Sequence, residues 1–96
     1  MGNYDKLHQT EERYRKMLEE LKGKKVLVGL KQSTEAILSK KAEKAYLASD
    51  TDSFIKDSFL ELCAENDVEV IFAESKKMLG KACSINVPAA CAVLLK

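Results

Sequence analysis

Lys24-Lys25-Val26-Leu27-Val28-Gly29-Leu30-Lys31-Gln32-Ser33-Thr34-Glu35 is a short aliphatic run that turns through a glycine toward a helix, an order that predicts an α/β fold. Val26 to Val28 suit a buried strand. Gly29 opens a backbone conformation closed to other residues, and Ser33 or Thr34 is suited to cap a helix of about 32–41 carrying Ala36, Ile37 and Leu38. Such a helix start has unpaired N–H groups and a partial positive charge. Beside it stand Lys31, a full cation, and Gln32, an amide that both donates and accepts. Phosphate with something polar attached is the ligand class these groups suit. A plain structural turn has the same order of elements, so the stretch alone does not decide between them.

The flanking segments predict the rest of the sheet. Glu43 to Ser49 and Val68 to Ala73 are expected strands, and the strand–helix–strand spacing favours a parallel, right-handed crossover. Asp50-Thr51-Asp52-Ser53 is an N-cap cluster for a helix that buries Ile55, Phe59, Leu62 and Cys63. Its loop follows a strand, where open α/β sheets bind ligands, and is expected near the Gly29 turn. Asn66-Asp67 is a turn. A helix of about 75–83 turns Met78, Leu79 and Ala82 inward and Lys76, Lys77 and Lys81 outward. Gly80 inside it costs roughly 1 kcal/mol relative to alanine, so a close backbone approach is expected there. Ser84-Ile85-Asn86-Val87-Pro88 is a loop with two large apolar residues, which either tuck beneath it or present an apolar face. Ala89 to Leu95 is small and aliphatic throughout and is predicted to be a central strand buried on both faces.

Upstream, residues 4–22 fit an amphipathic helix with Leu7, Tyr14, Met17, Leu18 and Leu21 on one stripe, ended by Gly23. That stripe is expected to pack on the outer layer of the same domain. His8 has no partner residue nearby in sequence and is expected to be an exposed polar side chain.

Composition narrows the class. With 96 residues, 46% hydrophobic and 32% charged, the chain is expected to be one globular domain, 1–96, with its core in 24–95. No signal-peptide pattern or membrane-length apolar run is seen, so a cytoplasmic location is expected. Cys63, Cys83 and Cys91 have no metal-like spacing and are expected to be reduced core thiols. The net charge of +1 hides a segregation: five lysines against Glu35 in 23–41, nine acids against two lysines in 42–74, four lysines and no acid in 75–96. The basic segments either converge on one face or are scattered, and charge alone leaves both open. No triad, paired histidines or Walker-type loop is present, so no enzyme activity, cofactor or metal is expected.

Gly29 to Glu35, then Ala48-Ser49-Asp50-Thr51-Asp52, then Lys77 to Ala90 resemble, in order and spacing, the kink-turn-binding ribosomal protein family. This superfamily includes the archaeal and eukaryotic large-subunit "seven-Ae" proteins and small bacterial relatives. The resemblance spans about residues 24–95. It is most specific in Leu-Gly-Lys-Ala at 79–82 and in Ile85-x-Val87-Pro88-Ala89-Ala90. It implies an α/β/α sandwich of three layers around a four-stranded mixed sheet, here with an extra N-terminal helix. It also implies binding to an RNA kink-turn, a bent stem with tandem sheared G·A pairs, in a ribosomal or other structured RNA.

In the family, Gly-x-Asn-Glu-x-x-Lys enters the widened groove at those pairs. Gly29 and Leu30 match its start, and Lys31 and Gln32 take the Asn-Glu positions. Asp52 matches an acid near the extruded nucleotide, and Ile85, Val87 and Pro88 match the apolar loop that packs on it. Lys77, Lys81 and Asn86 complete the expected RNA-binding set. Glu35 departs from the pattern, since the family has lysine there, and Ser84 stands where glycine is common. The partner expected is therefore structured RNA, not DNA or membrane, bound by a monomer. The alternative is a protein–protein adaptor of the same fold with weakened RNA binding, motivated by Glu35 and the extra helix.

Overall fold

The computed structural model describes residues 14–96, so Leu7 and His8 lie outside the described residues. Among these residues the first helix, α1, covers 14–21. There follow β1 (Val26–Val28), α2 (Leu30–Leu38), β2 (Ala42–Ala48), α3 (Ser53–Glu65), β3 (Glu69–Ala73), α4 (Lys76–Ala82) and β4 (Cys91–Leu95). The sheet order is β1-β4-β2-β3. β4 is antiparallel to both β1 and β2, and β2 is parallel to β3, so the sheet is mixed. As its composition predicts, β4 is central, and Cys91 to Val93 have no exposed surface.

The period-two alternation of the strands sorts the core into two layers. Tyr46, Ala48, Ala73, Ala92 and Leu94 face α1 and α4, and meet Met17, Leu21, Leu79 and Ala82. Ala45, Leu47, Cys91 and Val93 face α2 and α3, and meet Ala36, Ile37, Phe59 and Cys63. The result is the expected three-layer α/β/α sandwich. A register shift between Ala42 and Lys44 lets Ala42 and Ala45, three apart, share a face. Among the described residues no helix is long and apolar enough to cross a membrane.

The elements end where local chemistry dictates. Gly23 takes φ +71° just after α1. α2 stops earlier than the sequence predicts, at Leu38, because Lys40 adopts φ 63° and the Lys41 N–H turns back to the Ala36 carbonyl at 2.9 Å. Asp67, at φ 56°, closes the turn after α3, where Asn66 Nδ2 donates to the Leu62 carbonyl at 2.9 Å. The three cysteines are free thiols, Cys63 and Cys91 buried and Cys83 partly so.

One polar link fastens α1 to the sheet. The fully buried Tyr46 donates its hydroxyl to Glu20 Oε2 at 2.7 Å, and Lys44 Nζ lies 3.4 Å from Glu20 Oε1. Burial, reinforced by the Glu20 carboxylate, holds the Tyr46 phenol well above its usual pKa. Tyr46→Phe is expected to cost about 1.5 kcal/mol, the worth of a hydrogen bond to a charged group. Urea denaturation of the two proteins at neutral pH checks this. Equal midpoints would mean that the Tyr46 hydroxyl does not help to hold α1.

Candidate functional site

The parallel relation of β1, β2 and β3 brings their carboxyl ends, together with the start of antiparallel β4, to one end of the sheet. Hydrogen bonds stitch the loops there. Gly29 N–H donates to Cys91 O at 3.0 Å, and Ala48 N–H donates to Ala90 O at 2.8 Å. Thr51 Oγ1 donates to the same Ala90 carbonyl at 3.3 Å. Lys76 N–H donates to Asp50 Oδ1 at 2.8 Å, and Ala89 N–H donates to Lys76 O at 3.0 Å. The starts of α2, α3 and α4 therefore gather at this end.

Gly29 serves as the N-cap of α2, at φ 105° and ψ 155°, a region that only glycine enters readily. Its carbonyl accepts the Ser33 N–H at 2.9 Å, so the helix begins at Leu30, earlier than the predicted 32. The expectation that Ser33 or Thr34 caps α2 is thus wrong. Ser33 lies inside the first turn with no exposed surface, and its Oγ finds no hydrogen-bond partner. Burial raises the pKa of the nearby Cys91 thiol, and the Ser33 hydroxyl offsets this in part. With no side-chain cap, the first-turn N–H groups remain open to a ligand. Leu30, Lys31 and Gln32 are exposed around them.

Glu35 is exposed, in the second turn rather than the first. The helix dipole therefore stabilises this carboxylate little, because that effect fades within one turn.

The loop before α3 divides its acids between two helices. Asp52 caps its own helix, accepting Phe54 N–H at 2.9 Å through Oδ1. Asp50, expected to help start the same helix, instead accepts the first N–H of α4. Sequence reading missed this role because the partner lies 26 residues away. It also missed Phe54. That side chain is 80% exposed on the first turn of α3, off the buried stripe of Phe59 and Cys63. A signal was available in the sequence: an aromatic residue one place before Ile55 cannot share that stripe. Ile55 and Leu62 are only partly buried.

α4 is capped by Ser75, whose Oγ accepts Met78 N–H at 3.1 Å. The loop after it folds back over the helix. Ser84 takes the left-handed φ of 64° where the resembled family favours glycine, and Ile85 N–H donates to Gly80 O at 3.0 Å. Gly80 lies against the Val87 carbonyl and Pro88 Cα, which explains why no side chain stands there. The two apolar loop residues divide the two expected roles. Ile85 packs partly buried on the core, whereas Val87 is 61% exposed, beside exposed Asn86 and Pro88. Lys77 and Lys81 are exposed one turn apart on α4, Lys81 about 6 Å further along the helix. The topology thus brings together Gly29 to Gln32, Asp52, Lys77 and the 85–88 loop, with Lys81 behind them.

Several known proteins are similar to this chain in sequence or fold. A protein named RNA-binding protein from Geobacillus sp. (strain WCH70) is 38% identical over 76 residues, covering 79% of this chain and 93% of that one. RNA-binding protein YbxF of Geobacillus stearothermophilus is 34% identical over 76 residues, with 79% and 93% coverage. Among solved structures, the Giardia lamblia 15.5kD RNA binding protein superposes with a TM-score of 0.75 at 24% identity, covering 95% of this chain and 75% of that one. A protein with unknown function from Bacillus halodurans C also gives 0.75, at 19% identity, covering 86% and 84%. These two likenesses establish the shared fold. The model of the ribosomal protein L7Ae/L30e/S12e/Gadd45 family matches residues 11–96, and the chain belongs to that family.

Proposed function

We propose that this chain is a non-enzymatic RNA-binding protein that recognises a kink-turn with tandem sheared G·A pairs, in ribosomal or another structured RNA. The observation that carries the reading is the meeting, at one end of the sheet, of an α2 start without a side-chain cap and the loop with exposed Val87. A sharply bent RNA displays base edges that a regular A-form stem hides, and an unstacked base has an apolar face. Lys31 and the α2 N–H groups suit phosphate, Gln32 suits base edges that both donate and accept, and Val87 with Pro88 suits the unstacked base. Lys77 and Lys81 add cations for the backbone. Family membership and the names of the relatives support RNA as the partner.

Gel-shift titration compares a kink-turn RNA with the same RNA carrying Watson–Crick pairs in place of G·A. Binding is expected to weaken by the order of 1–3 kcal/mol per replaced pair, the usual scale of a mismatched site. Equal binding to both RNAs would overturn kink-turn recognition, and binding to neither would leave the fold as a protein–protein adaptor.

Glu35 gives a second test. Exposed one turn beyond Lys31, it places a carboxylate beside the proposed backbone path. Glu35→Lys is expected to raise kink-turn affinity and to steepen the salt dependence by about one unit of slope if the new cation meets one phosphate. Stability is expected to change by no more than a few tenths of a kcal/mol, as at most exposed positions. Titrations at several salt concentrations check this. Identical affinity and slope would place Glu35 away from the RNA.

A further inference from the structure

Among the described residues five large apolar side chains stand exposed: Leu30, Leu38, Phe54, Phe72 and Val87. Leu38 ends α2 and Phe72 lies on the edge strand β3, but the other three belong to the helix starts and loops of the candidate site. Phe54 is the most exposed of the five, at 80%. Its backbone is anchored, because its N–H is bonded to the Asp52 carboxylate at 2.9 Å within the first turn of a 13-residue helix. A ring left this exposed to water adds little folding energy, since little of its surface is buried.

We infer that Phe54 is a stacking platform for an unpaired base of the bound RNA, an inference that rests on the RNA-binding reading above. The charges around it select a base over a phosphate. Asp52 precedes it and exposed Asp57 follows one turn later on the same helix. The nearest cation of α3, Lys56, donates instead to the Ser49 carbonyl at 3.1 Å. A phosphate is repelled from this patch, whereas the amino and imino groups of a base find carboxylate acceptors beside a π-face. Val87 and Phe54 then serve two different unpaired nucleotides, one on the apolar loop and one at the α3 start. Phenylalanine has no hydrogen-bonding group, so this second contact is tolerant of base identity.

The chain contains no tryptophan, which makes Phe54→Trp a clean reporter. Its emission is expected to be quenched by kink-turn RNA in parallel with binding, and to recover when one particular unpaired nucleotide is made abasic. Phe54→Ala is expected to bind the same RNA about tenfold or more weaker, as for loss of one stacked base, with an unchanged melting temperature. If the parent binds the kink-turn while Phe54→Ala binds equally and Phe54→Trp emission stays flat, the platform is overturned and the kink-turn reading survives. If the parent does not bind the kink-turn, that reading fails. The Trp variant is then titrated with single-stranded oligoribonucleotides: saturable quenching upholds base stacking at this position, and flat emission overturns it.

Discussion

Gly80→Ala is expected to destabilise the protein by about 3 kcal/mol, although the same change in an ordinary helix stabilises by up to about 1 kcal/mol. A Cβ on residue 80 would collide with the Val87 carbonyl oxygen, and would lie 3.1 Å from the Val87 carbonyl carbon and 3.3 Å from Pro88 Cα. These are backbone atoms, so no rotamer change relieves the overlap. The loop cannot simply lift away either, being tied to α4 by Ile85 N–H to Gly80 O and by Ala89 N–H to Lys76 O, both 3.0 Å. Moving it breaks those bonds and uncovers Ile85, which packs against the core. For a domain of this size the melting temperature is expected to drop by about 12 °C or more. Kink-turn affinity is expected to fall as well, at temperatures where the variant remains folded, because Val87 and Pro88 are displaced. Thermal denaturation and gel shifts on one preparation measure both. An unchanged or raised melting temperature would mean that the loop does not lie on the helix.

Raising the pH from 9 to 11 is expected to remove about 2–4 kcal/mol of stability, a large share of the approximately 5–14 kcal/mol available to a chain of this length. Burial pushes the Cys63 thiol from its ordinary 9.0 up to about 11, and the neighbouring Cys91 adds to the shift. Burial also raises Cys91, partly offset by Ser33, and raises Cys83 to about 11. Below pH 9 these thiols are protonated in both the folded and unfolded chains, and their contribution is fully present. Above it the unfolded chain releases protons that the folded chain retains, so each sealed thiol removes about 1.4 kcal/mol per pH unit until its folded pKa is reached. Cys63, with no exposed surface, supplies the largest resolved share, partly exposed Cys83 less, and buried Cys91 acts in the same direction. Above pH 10 the raised phenol of Tyr46 acts in the same direction. Urea denaturation at pH 7, 9, 10 and 11 under reducing conditions gives the slope. Cys63→Val removes one of the titrating groups and is expected to flatten it by about 1.4 kcal/mol per pH unit. A pH-independent midpoint from 9 to 11 would show that the thiols reach water in the folded protein.

Much of the site is legible in the sequence because its signals are local. Gly29 and Gly80 are needed for reasons that act within a few residues or by excluding a side chain, and both positions carry the conformation or close approach expected of them. Residues 77–90 carry the family resemblance in their order and spacing alone. The caps are less legible. Ser33 has the right chemistry for an N-cap, but Gly29 turns the chain so sharply that the helix starts before the serine and carries it into the core. Asp50 likewise suits the helix next to it, yet its acceptor is used by α4.

The sequence by itself determined the order of elements, the turn at Gly29 and the burial of the last strand, since periodicity and backbone permission are properties of neighbouring residues. Only the tertiary structure decided that β4 inserts between β1 and β2, that Asp50 ties the α3 loop to α4, and that Phe54 is left in water. Those outcomes depend on which distant surfaces meet. Several strand orders bury similar apolar area, and the choice among them comes from the summed fit of both sheet faces, which no single stretch encodes.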